Sequence, residues 1–529
     1  MLPALIWEAF ALGFVTLALQ WILFRFLRSK AKKDSTEQHL RGAKLISEDQ
    51  LIKEVKKRKL QTSLPFGPIP MPVQAECRHS LVLGSSGSGK TQLLSNLLDE
   101  LLRRGERIIL HDYKGDYLER FYHPDRDIIF NPDDQRSIGW SVFDAIETVL
   151  DVKTVAQTLI PPSQSKEPFF DDATRGLLEA ILHLAVERGQ ATYKGLNELL
   201  LMERFQLAQA FALSQNPFVK AGAVQLQDAG TTTGSILKTL RNKTDFFLQL
   251  EDKANFQIGD WLANQRGIIF LANHQSVKDA MRPILTLFLD TVAHKLLSQA
   301  DQPARNPDKT FFLLDELAQL GQLHSIESLL TLGRSKGAAV ILATQDLAQL
   351  KSLYGEDARR TFANNCATQA CFALASAEEA KAMSDAFGEQ EVLLRQKSHS
   401  LGRHPSRDGI GFAQQRQVTK LVLPSEIAQL QPGEFFLKLP GFDLTKTSVA
   451  AKDRECLNAA FNLRPGLRLD SAKTSANSLG VGGTREGLRL LPKPMVTESY
   501  GSNLGDKNQN QQPDHDQGNP DLEIDQLKY

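Results

Sequence analysis

The chain has 529 residues, with 62 Lys and Arg against 62 Asp and Glu, so its formal charge is zero. Apolar residues make up 42% and charged residues 23%, which excludes wholesale disorder, a collagen-like fibre and a polytopic membrane protein and fits about three domains. With no global basicity, nucleic-acid binding must come from a local patch or a lined channel, and four cysteines without a CxxC pair fit free thiols in a reducing compartment and no structural zinc.

The N-terminus is apolar. No residue from Ala9 to Phe24 is charged, and from Leu2 to Leu27 only Glu8 and Arg25 interrupt the run. At about 1.5 Å per residue this is enough to cross a hydrocarbon core of roughly 30 Å. Trp7 and Trp21 lie near its ends, and Arg25, Arg28, Lys30, Lys32 and Lys33 follow, which predicts an outside N-terminus and a cytoplasmic bulk. Residues 1–33 therefore read as a transmembrane anchor with a basic flank; a buried core helix would leave that flank unexplained. Residues 34–65 read as a juxtamembrane linker. From Arg25 to Leu60 there are twelve Lys and Arg against five acids, which fits a solvated helix near anionic headgroups better than a DNA contact.

The densest chemical signal lies in residues 66–150. Ser80-Leu-Val-Leu83 is a β-type run, followed by Gly84, Ser85, Ser86, Gly87, Ser88, Gly89, Lys90 and Thr91, then by a helical pattern from Gln92 to Arg104. This is GxxxxGK[ST] in the strand–loop–helix setting it requires. The glycines let main-chain N–H groups converge on phosphate oxygens, and the helix N-terminus adds partial positive charge. Lys90 then reaches the β/γ-phosphates of ATP, and the Thr91 hydroxyl ligates Mg²⁺. Arg107-Ile-Ile-Leu110 is a further strand leading into His111-Asp112-Tyr-Lys-Gly-Asp116.

Between residues 151 and 260 the β-type runs vanish and the period turns helical, so this part reads as an inserted all-α domain. Lys238, Arg241 and Lys243 make a modest basic patch there, either facing a DNA channel or simply solvated. Residues 261–463 return to alternating strands and helices: Gly267–Leu271, a helix from about Asp279 to Leu297, Thr310–Leu314, Ala339–Ala343, Thr368–Ala373, a helix from about Ser376 to Phe387, and Gly433–Leu437. Continuous apolar strands alternating with helices argue an α/β fold with a parallel-rich sheet covered on both faces. Thr310–Leu314 ends in Asp315 and Glu316, suited respectively to a water-mediated Mg²⁺ contact and to polarising the attacking water. Arg334 is either an arginine finger offered to a neighbouring subunit or a surface arginine at a helix end, and Gln345 either senses the γ-phosphate or caps the next helix. Residues 464–529 are low-complexity and acidic, which predicts a disordered tail whose last apolar residues are either a docking peptide or inert.

Together these residues resemble the coupling proteins of type IV secretion and conjugation, the TraD/TrwB class of FtsK/HerA-like hexameric ATPases. The likeness runs through Gly67-Pro-Ile-Pro-Met-Pro72, Ala75-Glu76, His79, the phosphate loop, Ile128 to Trp140, Thr233-Gly-Ser235, Leu314-Asp-Glu-Leu317, Gly333-Arg334, Thr344-Gln345 and Leu423-Pro-Ser-Glu426. The resemblance implies a RecA-like P-loop core carrying the all-α domain, anchored in the bacterial inner membrane as a homo-hexamer. It implies ATP-driven movement of single-stranded DNA with its relaxase, from the relaxosome toward the type IV secretion channel. It implies Lys90 and Thr91 as phosphate and Mg²⁺ ligands, Asp315 as the second Mg²⁺ contact, Glu316 as water activator, Arg334 acting in trans and Gln345 as sensor. Members usually have two N-terminal spans, whereas one is found here. The alternative is a secretion ATPase coupling protein substrates without DNA translocation, favoured only by the neutral charge and acidic tail; a non-catalytic adaptor would have no use for Glu316.

Overall fold

Every β-type run singled out above from Ser80 onward becomes a strand of one sheet. The computed structural model describes residues 20–25, 38–60, 62–162, 168–227, 231–253, 255–272, 278–303, 307–400 and 409–465. The chain divides into two units, Met1–Arg468 and Leu469–Tyr529, and all the described residues belong to the first. The strands are β1 (Gln38–Gly42), β2 (Leu45–Ile46), β3 (Thr62–Phe66), β4 (Ile69–Pro72), β5 (Ser80–Leu83), β6 (Arg107–Asp112), β7 (Ile128–Phe130), β8 (Gly267–Ala272), β9 (Thr310–Asp315), β10 (Ala338–Thr344), β11 (Thr368–Cys371), β12 (Glu389–Ser400), β13 (Gly409–Lys420), β14 (Glu434–Lys438) and β15 (Leu444–Ser448).

Ten of them form a mixed sheet in the order β2-β15-β14-β11-β5-β10-β9-β6-β8-β7. The seven strands from β11 to β7 run parallel, and β14 joins β11 antiparallel. Every residue of β5, β6, β8, β9 and β10 is buried, as expected of parallel strands covered on both faces. The two-residue period then divides the core. Leu81, Leu83, Ile109, Phe312 and Leu314 enter one apolar cluster, while Val82, Ile108, Leu110, Phe311 and Leu313 enter the other. The helix Lys90–Arg104 covers the second face with Leu93, Leu94, Leu97, Leu98 and Leu101, each fully buried.

Among the described residues from Val149 to Asn264 there is no strand, only helices such as Val149–Leu159, Phe169–Glu187, Tyr193–Leu201, Arg204–Leu213 and Thr231–Thr244. Their core is continuous with the first face of the sheet, through Phe130, Trp140 and Phe288. The basic patch here is largely committed to structure. Arg241 donates to the carbonyls of Leu200 (3.2 Å) and Met202 (3.0 Å), capping the end of Tyr193–Leu201, and Lys243 pairs with Asp171; Lys238 is exposed.

Residues 38–60, read above as linker, are folded. Ser47 and Gln50 form a capping box that starts the helix Glu48–Lys57. That helix buries Leu51 and Val55 completely, and β2 extends the main sheet beside β15. The polar hairpin β12–β13, to which β1 adds a third strand, has no counterpart in the apolar-run reading.

No helix among the described residues is long and apolar enough to cross a membrane. The span expected over residues 2–27 lies outside them apart from 20–25, where the chain is helical and Trp21, Ile22, Leu23 and Phe24 are exposed. The tail beyond 465 also lies outside the described residues.

Candidate nucleotide site

The phosphate loop leaves β5 at the carboxyl edge of the sheet and is moored from three sides. The N–H of Gly84 donates to Thr344 O (3.3 Å), that of Ser85 to Ala373 O (2.8 Å), and that of Gly433 to Ser88 O (2.8 Å). Gly89 caps the following helix with φ 114°, and a Cβ there would stand 3.0 Å from the Gly433 backbone, so only glycine fits the left-handed turn and the close approach. Gly84 is tight for another reason: a Cβ would lie 2.6 Å from Phe372 Cβ and 2.6 Å from Ser88 Oγ.

A cavity of about 210 Å³ opens above this loop. The loop and its helix line it with Ser85, Ser86, Gly87, Gly89, Lys90, Thr91 and Gln92; the end of β9 adds Asp315 and Glu316, and the end of β10 adds Gln345. Gly84 and Ser88 do not line it. The parallel order β5-β10-β9 brings these groups together: Leu83 pairs with Thr344, and Ala343 with Asp315, so three strand ends stop level.

Each charged group is held by a small number of partners. Lys90 is 7% exposed as a residue, and its ammonium donates to the carbonyls of Gly84 and Ser85, the latter at 3.1 Å. Burial pushes its pKa down, opposed by Asp315 and Glu316. Burial pushes the Asp315 carboxyl up, opposed by the Tyr117 hydroxyl, which donates to Oδ2 at 2.9 Å, and by Lys90. Burial also raises Glu316, opposed by Lys90 and by the Thr344 hydroxyl at 3.2 Å from Oε1. Glu316 is one of three non-glycine residues with positive φ among the described residues (60°), a conformation that costs energy and re-aims the side chain after the strand. Lysine, hydroxyl and carboxylate beside a glycine cradle are the hard donors that fit a polyphosphate with Mg²⁺.

Arg334 is placed elsewhere. It is exposed in the turn Gly333–Lys336, before the first residue of β10, whereas Gln345 follows the last. Seven strand residues, about 20 Å, separate it from the cavity of its own chain.

The structure adds groups that the motif reading missed. Tyr113 and Lys114 line the cavity, and Asp112 and Tyr117 lie behind it. All belong to His111–Tyr117, of which the sequence reading named only His111 to Asp116, as the stretch that the strand Arg107–Leu110 leads into. The available signal was a cluster of acids, Tyr and Lys directly after a buried strand, which in a parallel sheet must stand at the carboxyl edge.

The sequence and the fold both have counterparts among known proteins. The family model described as type IV secretion-system coupling protein DNA-binding domain matches residues 63–450. Coupling protein TraD of Escherichia coli (strain K12) is 23% identical over 448 residues, covering 82% of this chain and 62% of that protein. Protein VirD4 of Agrobacterium fabrum (strain C58 / ATCC 33970) is 23% identical over 454 residues, covering 81% of this chain and 66% of that protein. The chain thus spans somewhat under two thirds of the length of these relatives. The unbound conjugative coupling protein TrwBdeltaN70 superposes with TM-score 0.69 and 26% identity, covering 80% of this chain and 96% of that one. Plasmid coupling protein TrwB in complex with ADP and Mg²⁺ gives TM-score 0.68 and 25% identity, covering 81% and 98%. With the family model spanning most of its length and a TrwB-like fold beneath it, the chain belongs to the type IV secretion-system coupling proteins.

Proposed function

We propose that the chain is the ATPase of a conjugative type IV secretion system, anchored in the inner membrane as a homo-hexamer, which moves single-stranded DNA with its relaxase from the relaxosome to the secretion channel. One observation carries the reading: Lys90, Thr91, Asp315, Glu316 and Gln345, from strand ends far apart in sequence, line one cavity at the carboxyl edge of the sheet. The TrwB complexes with ADP and Mg²⁺ and with an ATP analogue support it.

In this reading the backbone amides of Ser85 to Lys90 and the Lys90 ammonium take the β- and γ-phosphates. Thr91 and Asp315 would hold Mg²⁺, which supplies charge neutralisation at the β- and γ-oxygens. Glu316, turned into the cavity by its left-handed backbone and held by Thr344, takes the proton of the attacking water; its raised affinity for a proton suits a base. Gln345 aligns that water or reads the γ-phosphate. Arg334, at the opposite edge of its own sheet, can reach a phosphate only across a subunit boundary, as a ring requires.

The test is ATP turnover by the full-length chain against protein concentration, with and without single-stranded DNA. Turnover rising steeply with concentration, stimulated by DNA in a salt-sensitive way, is expected. Unchanged turnover in Lys90→Ala would overturn the enzymatic reading. For the ring, Arg334→Ala mixed with Lys90→Ala should recover part of the activity; no recovery in a verified mixed assembly would refute action in trans. DNA-independent turnover and no salt-sensitive DNA binding would instead favour protein cargo.

A further inference from the structure

We infer that residues 451–464 form a strap that sets the spacing of two walls of the nucleotide cavity and ties them to the helical segment 149–264. The inference rests on the nucleotide reading above and concerns residues to which that reading gives no part. The strap follows β15, the last strand, and has no regular structure of its own beyond a single bridge between Leu463 and Asp134. Main-chain groups in such a stretch must find partners elsewhere, and here they lie on separate pieces of the molecule.

The first piece is the phosphate-loop helix, Lys90–Arg104. Gln92 lines the cavity, and its Oε1 accepts from the Lys452 N–H (3.2 Å) and from Arg454 Nη1 (3.4 Å). Arg454 Nη2 donates to Asn96 Oδ1 (2.6 Å) and Asp99 Oδ2 (2.8 Å), about one and two turns further along. The same guanidinium lies 5.6 Å from the centre of the Phe121 ring, so one rigid fork spans this helix and Asp116–Phe121. The second piece is the opposite wall. The N–H groups of Leu457 and Asn458 both donate to Glu119 O (2.8 and 3.0 Å), and Asn458 Nδ2 donates to Tyr122 O (2.8 Å). Ala460 sits against Gly115, where an added Cβ would stand 2.8 Å from the Ala460 Cβ. Gly115 directly follows Tyr113 and Lys114, which line the cavity. Their turn is thus held from inside by Asp112, which accepts from the Gly115 N–H at 2.9 Å, and from outside by the strap.

The third piece is the loop leaving β7. Arg136 Nη1 donates to Ala459 O (2.9 Å), the Asn462 N–H to Asp134 Oδ2 (2.9 Å), the Gln135 N–H to Asn462 O (2.8 Å) and the Arg464 N–H to Asp133 O (2.9 Å). Arg464 then reaches the helical segment: it donates to Gln249 O and pairs with Glu251 at 3.0 Å. The side chains of Arg454 and Arg464 are 12% and 14% exposed, so water competes little for either anchor. An unbroken line of contacts therefore runs from Gln92 at the cavity to Glu251 outside it. A nucleotide bound between the two walls favours the spacing that the strap enforces. By linkage, nucleotide should tighten the strap, and loosening the strap should weaken nucleotide binding by the same factor.

Two measurements on the full-length chain test this. Hydrogen exchange of peptides covering 452–464 is read in wild type with and without a saturating non-hydrolysable ATP analogue and Mg²⁺. The strap amides should exchange about 5- to 10-fold more slowly with nucleotide, at the lower end of the usual range for coupled sites, although none of them lines the cavity. The Kd of a fluorescent form of the analogue should rise by about the same factor in Arg454→Ala and in Arg464→Ala. In Lys452→Ala it should stay within about two-fold, because that ammonium meets only Asp99, at 3.4 Å and half in solvent. Arg464 decides the matter, since it touches no residue of the cavity and a purely local role for Arg454 would leave its variant unaffected. Strap exchange indifferent to nucleotide, or wild-type affinity in either arginine variant, would overturn the inference and leave the nucleotide reading intact. The exchange experiment needs no substitution, so it decides the question even if a variant fails to fold. A wild type that binds the analogue neither with nor without Mg²⁺ would overturn both.

Discussion

The two ends of the main sheet both bury charge, and they bury it differently. At the amino ends, Glu76 has a fully buried side chain, and its two oxygens meet Arg104 (2.9 and 3.2 Å) and Lys309 (2.5 Å). Beside it, Arg107 is tied to Asp308 (2.6 Å) and Thr310 (3.1 Å). At the carboxyl ends, Lys90 has only two backbone carbonyls, and Asp315 and Glu316 each have one side-chain hydroxyl. The first set is closed: each buried ion has its counter-ion within reach. The second set lies open on a cavity with positive and negative groups held apart. Buried charge alone therefore does not mark a functional site. Unfilled valence does, because a ligand completes it at little further cost in desolvation.

Breaking the closed end should cost folding and spare chemistry. Glu76→Ala strands the buried Lys309 ammonium and leaves Arg104 with Glu106 alone, and a urea denaturation curve should show a loss of about 3–5 kcal/mol, with turnover per folded molecule unchanged. Breaking the open end should do the reverse. Lys90→Ala is expected to lower ATP turnover by about 100-fold or more while moving the denaturation midpoint much less, since no counter-ion is stranded in direct contact with it.

A pH series sharpens the contrast between a base at one end and an acid at the other. Burial pushes His79, at the amino end of β5, down to about 4, so in the folded chain it stays neutral where an ordinary histidine protonates. Below its ordinary pKa the unfolded chain binds the extra proton, and this group takes stability away as pH falls from about 6.5 to about 4. Burial pushes Asp112, at the carboxyl end of β6, up to about 7, so the folded chain holds its proton longer than the unfolded one. That group takes stability away as pH rises from about 4 to about 7. The cost of His79→Asn, measured by denaturation, should therefore shrink toward low pH, and that of Asp112→Asn toward high pH, each with a slope of at most about 1.4 kcal/mol per pH unit. Parallel cost curves would remove the distinction. The smallest effect is expected at the rim of the closed network. Arg266 is about half exposed and pairs with Asp308 at 2.9 Å, so Arg266→Ala should cost at most about 1 kcal/mol.

Much of this was legible in the chain. Ser80–Leu83 was recovered with its bounds, and the runs at 107, 267, 310, 339, 368 and 433 were each found within two residues of the observed strand ends, because a strand buried on both faces is continuously apolar. The polar ribbon β12–β13 escaped for the same reason: Glu389–Ser400 has no apolar run to detect. β2 has two residues, too few for any periodicity, and it exists only because β15 offers it an edge. The helix Glu48–Lys57 was within reach, since Ser47 and Gln50 spell a capping box, but its lysines drew the reading toward solvent while Leu51 and Val55 face the core. Tyr117 carries no motif, and its hydrogen bond to Asp315 follows from where helix Asp116–Phe121 directs it.

By itself the sequence determined what a few neighbouring residues can encode: a glycine-rich loop able to wrap an anion, strands that must be covered on both faces, a strand ending in two carboxylates. Those are local properties, set by main-chain freedom, side-chain period and charge. Which of them meet was decided only by the strand order β5-β10-β9, which brings Lys90 and Asp315, 225 residues apart, to one cavity and leaves Arg334 at the far edge of the same sheet. Adjacency across a sheet arises from long-range pairing and packing, and no short stretch of chain contains it.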